Sequence, residues 1–201
     1  MTLAEARLYF ITEPIPEQRL EDALAGGVDV LQLRLKDASD DEILAAAEVF
    51  RRLCDRHGAL FVLNDRPELV GACGADGVHV GQEDMPASEA RAVLGEGRIV
   101  GLSTHSREQL EAAPTEPVDY VAVGPVFATP TKPGRPAVGL ELVRFAAERT
   151  ATPWFAIGGI GLDNAGDVVA AGAERLAVVR GIRDAESPRD AARALRASLP
   201  A

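Results

Sequence analysis

Short runs rich in Val, Ile and Leu recur along the whole chain, and the segments between them repeat apolar residues with helical spacing. The runs are LYFIT (8–12), VDVLQLR (28–34), LFVLN (60–64), GVHV (77–80), RIVGLS (98–103), YVAVG (120–124), WFAIGG (154–159) and RLAVVRG (175–181). They lack the apolar–polar alternation of a half-exposed strand. This pattern indicates strands that are buried on both faces, as in a parallel sheet covered by helices.

The segments between the runs carry signals for helix ends. Ser39 or Asp40 is suited to the N-cap of the first long helical segment, and Gly58 is suited to its stop. Asp163 can cap the helix that contains the sequence DVVAAG, and Ser187-Pro188 can open the last helix. The chain is therefore predicted to alternate strand and helix from end to end.

About eight strand–helix units in succession match the count of a (β/α)8 TIM barrel. We predict an α/β fold of this type, compact, parallel and eight-stranded, formed by residues 1–201 as a single TIM-barrel domain. An open, doubly wound sheet is the alternative, because alternation alone does not decide whether the sheet closes.

Charge and composition narrow the class of protein. The net charge of −10 argues against nucleic-acid binding, which needs a basic surface, although a local basic pocket for a small phosphorylated ligand is compatible with it. Residues 1–14 lack the features of a signal peptide, and no apolar run is long enough to cross a membrane. Cys54 and Cys73 fit buried free thiols. We expect a cytoplasmic protein without a membrane partner, and a homo-oligomer is compatible with the sequence.

Polar side chains cluster where the predicted strands end. In a parallel barrel these ends form one rim, which carries the active site. The rim would collect Gln32, Arg34, Lys36, Asn64, Asp65, Gln82, Glu83, Asp84, Ser103, His105, the segment GPVFATPTKPGRP (124–136), Gly158-Gly159 and Arg180.

Asp65 and Asp84 follow neighbouring predicted strands and can converge. Two carboxylates in one pocket repel each other unless a cation or a proton lies between them, and Mg²⁺ takes one or two carboxylates together with phosphate oxygens. Arg34, Lys36 and Lys132 could bind the outer oxygens of a diphosphate. The alternative is that Asp65 caps a helix and Asp84 is a solvated loop acid.

A second anion site is predicted from the later loops. Thr129 and Thr131 supply hydroxyl donors, and Gly158-Gly159 would let backbone N–H groups approach an anion. Such a site suits a monophosphate, although a glycine pair also fits a plain tight turn. His105 could donate a proton or cap the following helix, whereas His79 fits the core and His57 a structural role.

The motifs LQLRLKD, VLNDR, GADGVHVGQEDMP, IVGLSTHS, DYVAVGPVFATPTKPG, AIGGI and AVVRGI follow one another along the chain. In order and spacing the sequence resembles thiamine phosphate synthase. The resemblance implies a (β/α)8 barrel that joins 4-amino-2-methyl-5-hydroxymethylpyrimidine diphosphate to a thiazole phosphate and releases diphosphate.

The resemblance also implies roles for individual residues. Gln32, Arg34, Lys36, Asn64, Ser103 and Lys132 would contact the pyrimidine or its diphosphate, and among these Arg34, Lys36, Ser103 and Lys132 would be catalytic. One Mg²⁺ ion would be held by Asp65 and Asp84. The thiazole phosphate would lie against Thr129, Pro130, Thr131, Gly159, Val179 and Arg180.

Two positions depart from the usual pattern of that family. Leu35 stands where Glu is frequent, and Arg180 stands where Ser is frequent. Two other functions stay open at this point. A thiazole tautomerase on the same fold could use His105 as an acid/base, and a non-catalytic barrel could bind thiamine precursors without turnover.

Overall fold

The computed structural model describes residues 1–129 and 136–200. Its strands are β1 (Leu8–Thr12), β2 (Val30–Leu33), β3 (Leu60–Asn64), β4 (Gly77–Val80), β5 (Ile99–Thr104), β6 (Tyr120–Val123), β7 (Trp154–Ile157) and β8 (Leu176–Val178). Each strand pairs in parallel with its neighbour in sequence, and β8 pairs with β1. The predicted closed barrel is therefore confirmed, and the open sheet was the wrong alternative.

Helices surround the barrel and connect its strands. They are α1 (Glu17–Ala25), α2 (Asp40–His57), α3 (Val70–Cys73), α4 (Ala87–Leu94), α5 (Arg107–Ala112), α6 (Gly139–Arg149), α7 (Ala165–Ala170), α8 (Arg180–Arg183) and α9 (Pro188–Ser198). Short 3₁₀ turns lie at Pro67–Leu69 and Ala113–Thr115. In the part of the chain that the structure describes, no helix combines the length and the apolar character needed to cross a bilayer.

Most of the predicted helix ends are present. Ser39 forms a capping box with Glu42 at the start of α2, and Gly58 closes the helix with a left-handed φ of 66°. Ser187 caps α9 by accepting a hydrogen bond from the Asp190 N–H. The prediction for Asp163 was wrong, because α7 begins after Asn164, whose side chain accepts from the Gly161 N–H.

The core has two parts. The larger part lies between the barrel and the helices, where the outward side chains of the strands meet the apolar faces of the helices. The smaller part fills the barrel and includes Tyr9, Val30, Val62, Tyr120 and Phe155. Both cysteines are buried and free, as predicted. Because each strand is covered on both sides, the apolar runs show no clean alternation.

Candidate functional site

A cavity of about 420 Å³ opens among the ends of the strands and the loops that follow them. Its wall includes many of the predicted substrate-binding residues: Gln32, Arg34, Asn64, Ser103, Thr129, Gly159, Val179 and Arg180. Lys36, Asp65 and Asp84 lie beside it rather than in its wall. Pro130, Thr131 and Lys132 fall outside the described residues, so their predicted roles stay predictions.

The carboxyl groups of Asp65 and Asp84 are neighbours. Burial raises the pKa of Asp65 to about 6, and the charge of Asp84 and a hydrogen bond between the two carboxyl groups act in the same direction. Lys36 and Arg34 act in the opposite direction, so both cations are close to the pair. The structure therefore brings two acids and two bases together at one side of the cavity.

Local hydrogen bonds hold each aspartate in place. Asn64 donates to Asp65 Oδ2 at 2.6 Å, and the Asp65 N–H donates to the carbonyl of His79 on the next strand at 2.8 Å. Asp84 Oδ2 accepts from the Gly81 N–H at 2.9 Å. A Cβ at Gly81 would lie 2.6 Å from that same oxygen, so a larger residue there would move the Asp84 carboxylate. Asp84, which is exposed, is thus held by its own turn beside Asp65.

Backbone strain accompanies the pair. Asp65 and Arg66 have φ values of 54° and 52°, in the left-handed region that residues with a Cβ rarely occupy. Arg66 is held there by ion pairs with Asp40 and with Glu68. Asp65 therefore does not cap a helix in the ordinary way, because the following 3₁₀ turn has Arg66 at its N-cap. Strained residues of this kind cluster at functional sites.

A chain of buried hydrogen bonds crosses the floor of the cavity. Gln32 Nε2 donates to the Tyr9 hydroxyl at 2.6 Å, and the hydroxyls of Tyr9 and Tyr120 lie 2.9 Å apart. The Tyr120 hydroxyl meets His79 Nδ1 at 2.9 Å, and His79 Nε2 meets Ser103 Oγ at 2.9 Å. We call these five residues the floor chain. It links side chains from β2, β1, β6, β4 and β5.

The floor chain corrects one prediction. His79 is only 8% exposed, as expected of a core residue, but its ring also lines the cavity and contacts Ser103. Tyr9 and Tyr120 were not predicted at all. The Tyr120 ring packs on Phe155 at 5.5 Å between centroids. It occupies space that only Gly101 leaves free, since a Cβ at Gly101 would lie 2.1 Å from Tyr120 Cζ.

The opposite side of the cavity is built from backbone. Gly158 and Gly159 have φ values of 105° and 65°, and a Cβ at Gly159 would lie 2.8 Å from Phe127 Cβ. Both glycines are therefore required by conformation and by close packing. Arg180 begins α8, and its Nε lies 3.2 Å from Asp184 Oδ2. This arrangement offers backbone donors and one half-exposed guanidinium to an anion.

The remaining histidines separate into two kinds. His57 lies at the end of α2 and bonds Glu21 at 2.7 Å, so its surroundings are those of a structural residue. His105 lines the cavity, and its Nδ1 lies 2.5 Å from the Gly124 carbonyl. A carbonyl only accepts, so this nitrogen carries the proton. His105 does not cap α5, because Ser106 accepts from the Gln109 N–H there.

Comparison with known proteins identifies the family. A family model described as thiamine monophosphate synthase matches residues 8–182. The thiamine-phosphate synthase of Thermobifida fusca is 51% identical over 206 residues, covering 99% of this chain and 94% of that protein. The thiamine-phosphate synthase of Nostoc punctiforme is 50% identical over 188 residues, which cover 92% of this chain, and the chain spans about half, 54%, of that longer relative.

A solved structure agrees with the sequence comparisons. The thiamine phosphate pyrophosphorylase of Pyrococcus furiosus superposes with a TM-score of 0.90 at 34% identity, covering 98% of this chain and 96% of that one. The matched region of the family model, residues 8–182, includes all of the barrel strands from β1 to β8. The chain therefore belongs to the thiamine-phosphate synthase family, whose members are transferases of thiamine biosynthesis.

Proposed function

We propose that this protein catalyses, in the cavity, the condensation of 4-amino-2-methyl-5-hydroxymethylpyrimidine diphosphate with 4-methyl-5-(2-phosphoethyl)thiazole or with its carboxylated form. The bond between the pyrimidine methylene and the diphosphate oxygen breaks, and the diphosphate keeps the bonding pair. The lone pair of the thiazole nitrogen then forms the new C–N bond. The carboxylated form would in addition lose its carboxyl group as CO2, and the ring carbon would take up a proton in its place. The observation that carries this proposal is the Asp65–Asp84 pair flanked by Arg34 and Lys36.

The aspartate pair fits a hard divalent cation. Two adjacent carboxyl groups, one of them with a raised pKa, repel when both are ionised, and a bound cation relieves that repulsion. Among the described residues no group of three or more His, Cys, Asp or Glu side chains is arranged to hold a metal ion. Mg²⁺ suits such a site because it needs few protein ligands and takes phosphate oxygens and water for the rest.

We assign the metal to Asp65 and Asp84. Bound there, Mg²⁺ would neutralise charge that develops on the departing diphosphate. Arg34 lines the cavity, and the charges of Arg34 and Lys36 act on the same carboxyl group, so both can bind the outer oxygens. Lys132 would add a third positive charge. Fixed charges of this kind stabilise a transition state without the reorganisation that water would need.

The other groups position the two rings. Gln32 and Ser103 offer hydrogen bonds to the pyrimidine from the floor of the cavity, and Asn64 lies between that floor and the aspartate pair. The thiazole phosphate would lie against Thr129, Gly159, Val179 and Arg180, which line the cavity. The family resemblance adds Pro130 and Thr131, which lie outside the described residues. Placing both rings on one rigid rim supplies the proximity that the second step requires.

One assay tests the proposal. Purified protein is incubated with both substrates and Mg²⁺, and diphosphate and thiamine phosphate are measured, first as prepared, then with excess EDTA, then with Mg²⁺ restored. We expect both products to form in equal amounts, to vanish with EDTA and to return with Mg²⁺. Isomerisation of a thiazole phosphate carboxylate without diphosphate release would favour a tautomerase instead. Binding of both substrates without turnover would favour a non-catalytic barrel.

A further inference from the structure

The hydrogen bonds of the floor chain all donate in the same direction, because each of its two phenols has only one proton to donate. Burial raises the pKa of both Tyr9 and Tyr120 far above the ordinary range, so each phenol keeps its single O–H. A buried phenol O–H that donated to neither neighbour would lack an acceptor, which is costly, so each phenol donates to one neighbour in the floor chain and accepts from the other. Donation therefore runs one way along the whole chain, either from Gln32 toward Ser103 or from Ser103 toward Gln32.

The amide of Gln32 selects the first direction. Its Nε2 can only donate, so the Tyr9 hydroxyl accepts and must donate to Tyr120. Tyr120 in turn donates to His79 Nδ1, which has to be unprotonated. The neutral ring then carries its proton on Nε2 and donates it to Ser103 Oγ.

The two ends of the floor chain consequently present opposite groups to the cavity. Gln32 has used a donor in the chain, which leaves its carbonyl oxygen as an acceptor. Ser103 has accepted from His79, which leaves its own O–H as a donor. A 4-aminopyrimidine offers the complementary set, because its amino group donates and its ring nitrogens accept.

We propose that Tyr9 and Tyr120 are positioning residues that fix His79 in its Nε2–H form and thereby give the floor one acceptor at Gln32 and one donor at Ser103. The proposal rests on the proposed function, since it explains how that site selects an aminopyrimidine. Neither tyrosine touches the reacting atoms; both act through the hydrogen bonds that they complete.

The first test measures the proton on His79 directly and needs no substrate. The chain contains three histidines, so ¹⁵N-histidine labelling gives a spectrum that single substitutions of His57 and His105 can assign. In the wild-type protein we expect His79 to be neutral with its proton on Nε2. In Tyr120→Phe the donor to Nδ1 is lost, and we expect a mixture of both tautomers. A wild-type ring that is cationic, or protonated on Nδ1, would overturn the proposal.

The second test asks whether Tyr120 acts through Ser103, using a double-mutant cycle. Loss of one net hydrogen bond predicts that Tyr120→Phe lowers kcat/KM for the pyrimidine diphosphate by about tenfold. In a Ser103→Ala background the floor chain no longer ends in a hydroxyl group. Tyr120→Phe should then lower kcat/KM by less than about twofold. Equal losses in both backgrounds would mean that Tyr120 only packs in the barrel, and would refute the proposal.

Two further variants keep the cycle interpretable. Phe155→Leu alters the ring packing around Tyr9 and Tyr120 without removing a hydrogen bond, so its effect should be the same in the wild-type and Ser103→Ala backgrounds. If Tyr120→Phe does not fold, Tyr9→Phe breaks the chain one link earlier. It should shift the His79 tautomer in the same direction by a smaller amount, and an unshifted ring in that variant would count against the proposal. Because the tautomer is measured without turnover, this inference and the proposed reaction can fail separately.

Discussion

Replacing Asp65 by Asn should stabilise the metal-free protein while it abolishes activity. The pKa of the Asp65 carboxyl is raised from 3.8 to about 6 by burial and by Asp84, so its charged form is disfavoured in the folded state. Asn has nearly the same shape, and its amide oxygen can still accept the hydrogen bond from Asn64. The substitution therefore removes the charge and keeps most of the packing.

The size of the effect follows from the pKa. The difference between a pKa of 3.8 and one of about 6 corresponds to about 3 kcal/mol in the free energy of unfolding. Asp65 is only partly buried, so solvent screens much of that energy, and we expect a gain of about 1 kcal/mol in the free energy of unfolding. The ion pairs of Arg66 next to it are unchanged by the substitution.

The gain should depend on pH with a definite sign. Between the ordinary pKa of 3.8 and the folded value of about 6, the folded wild-type protein binds more protons at Asp65 than the unfolded chain does. Wild-type stability therefore falls as the pH rises through this window, relative to the variant. The difference between the two proteins should be near zero below about pH 4 and complete above about pH 6.

Urea unfolding of EDTA-treated protein from about pH 4 to about pH 8 measures this difference. Glu111→Gln is the matched control, because it removes one carboxylate from an exposed helix position. Saturating Mg²⁺ should then make the wild-type protein the more stable of the two. A ligand at 100 times its Kd stabilises the protein that binds it by about 2.7 kcal/mol, and Asp65→Asn should not bind the ion. An Asp65→Asn variant that is less stable than the wild-type protein at every pH, or a difference that does not change with pH, would refute the account of the aspartate pair.

Three further outcomes are expected. Asp84→Ala removes one of the two metal-binding carboxylates and should lower kcat by at least about 10²-fold at saturating Mg²⁺, and a nearly normal kcat in the diphosphate-release assay would contradict the metal assignment. Arg180→Ser should chiefly raise KM for the thiazole phosphate, by about tenfold for one lost charge-assisted hydrogen bond, and an unchanged KM would mean that Arg180 does not contact that substrate. Ser39→Ala deletes the capping box of α2 and should lower the free energy of unfolding by about 1 kcal/mol in urea titrations without changing kcat, while an effect on kcat alone would contradict a purely local role.

The barrel could be predicted from the sequence because its strands are buried on both faces and its helices repeat between them. Each predicted run overlaps the strand that forms; β1, β3 and β4 have the predicted bounds, and β5 extends one residue beyond its run, to Thr104. Closure was predicted from the count of about eight units and from the family resemblance, because strand–helix alternation alone does not show that β8 pairs with β1 across most of the chain. The error at Asp163 is local, because two adjacent residues can both cap a helix and only the turn at Gly161 favours Asn164.

The rim of the site was more predictable than its floor. Asp65 and Asp84 stand out because carboxylates follow apolar strands, and the barrel brings such positions together. Tyr9 and Tyr120 lie inside apolar runs, where nothing in the local sequence distinguishes an inward side chain from an outward one. The positive φ at Asp65 was equally hidden, because that conformation is imposed by the surrounding contacts rather than by the residue type.

Gly101 matters to the site far more than its size suggests. A glycine in the middle of a strand ordinarily weakens it, and this one adds no side chain to the cavity. Yet the smallest possible enlargement, a single methyl group, would displace the Tyr120 ring. The hydrogen bonds from Tyr120 to Tyr9 and to His79 would be disturbed with it. Under the proposed role of the floor chain, substrate choice in this barrel is vulnerable to mutation at a position that no inspection of ligand contacts would single out.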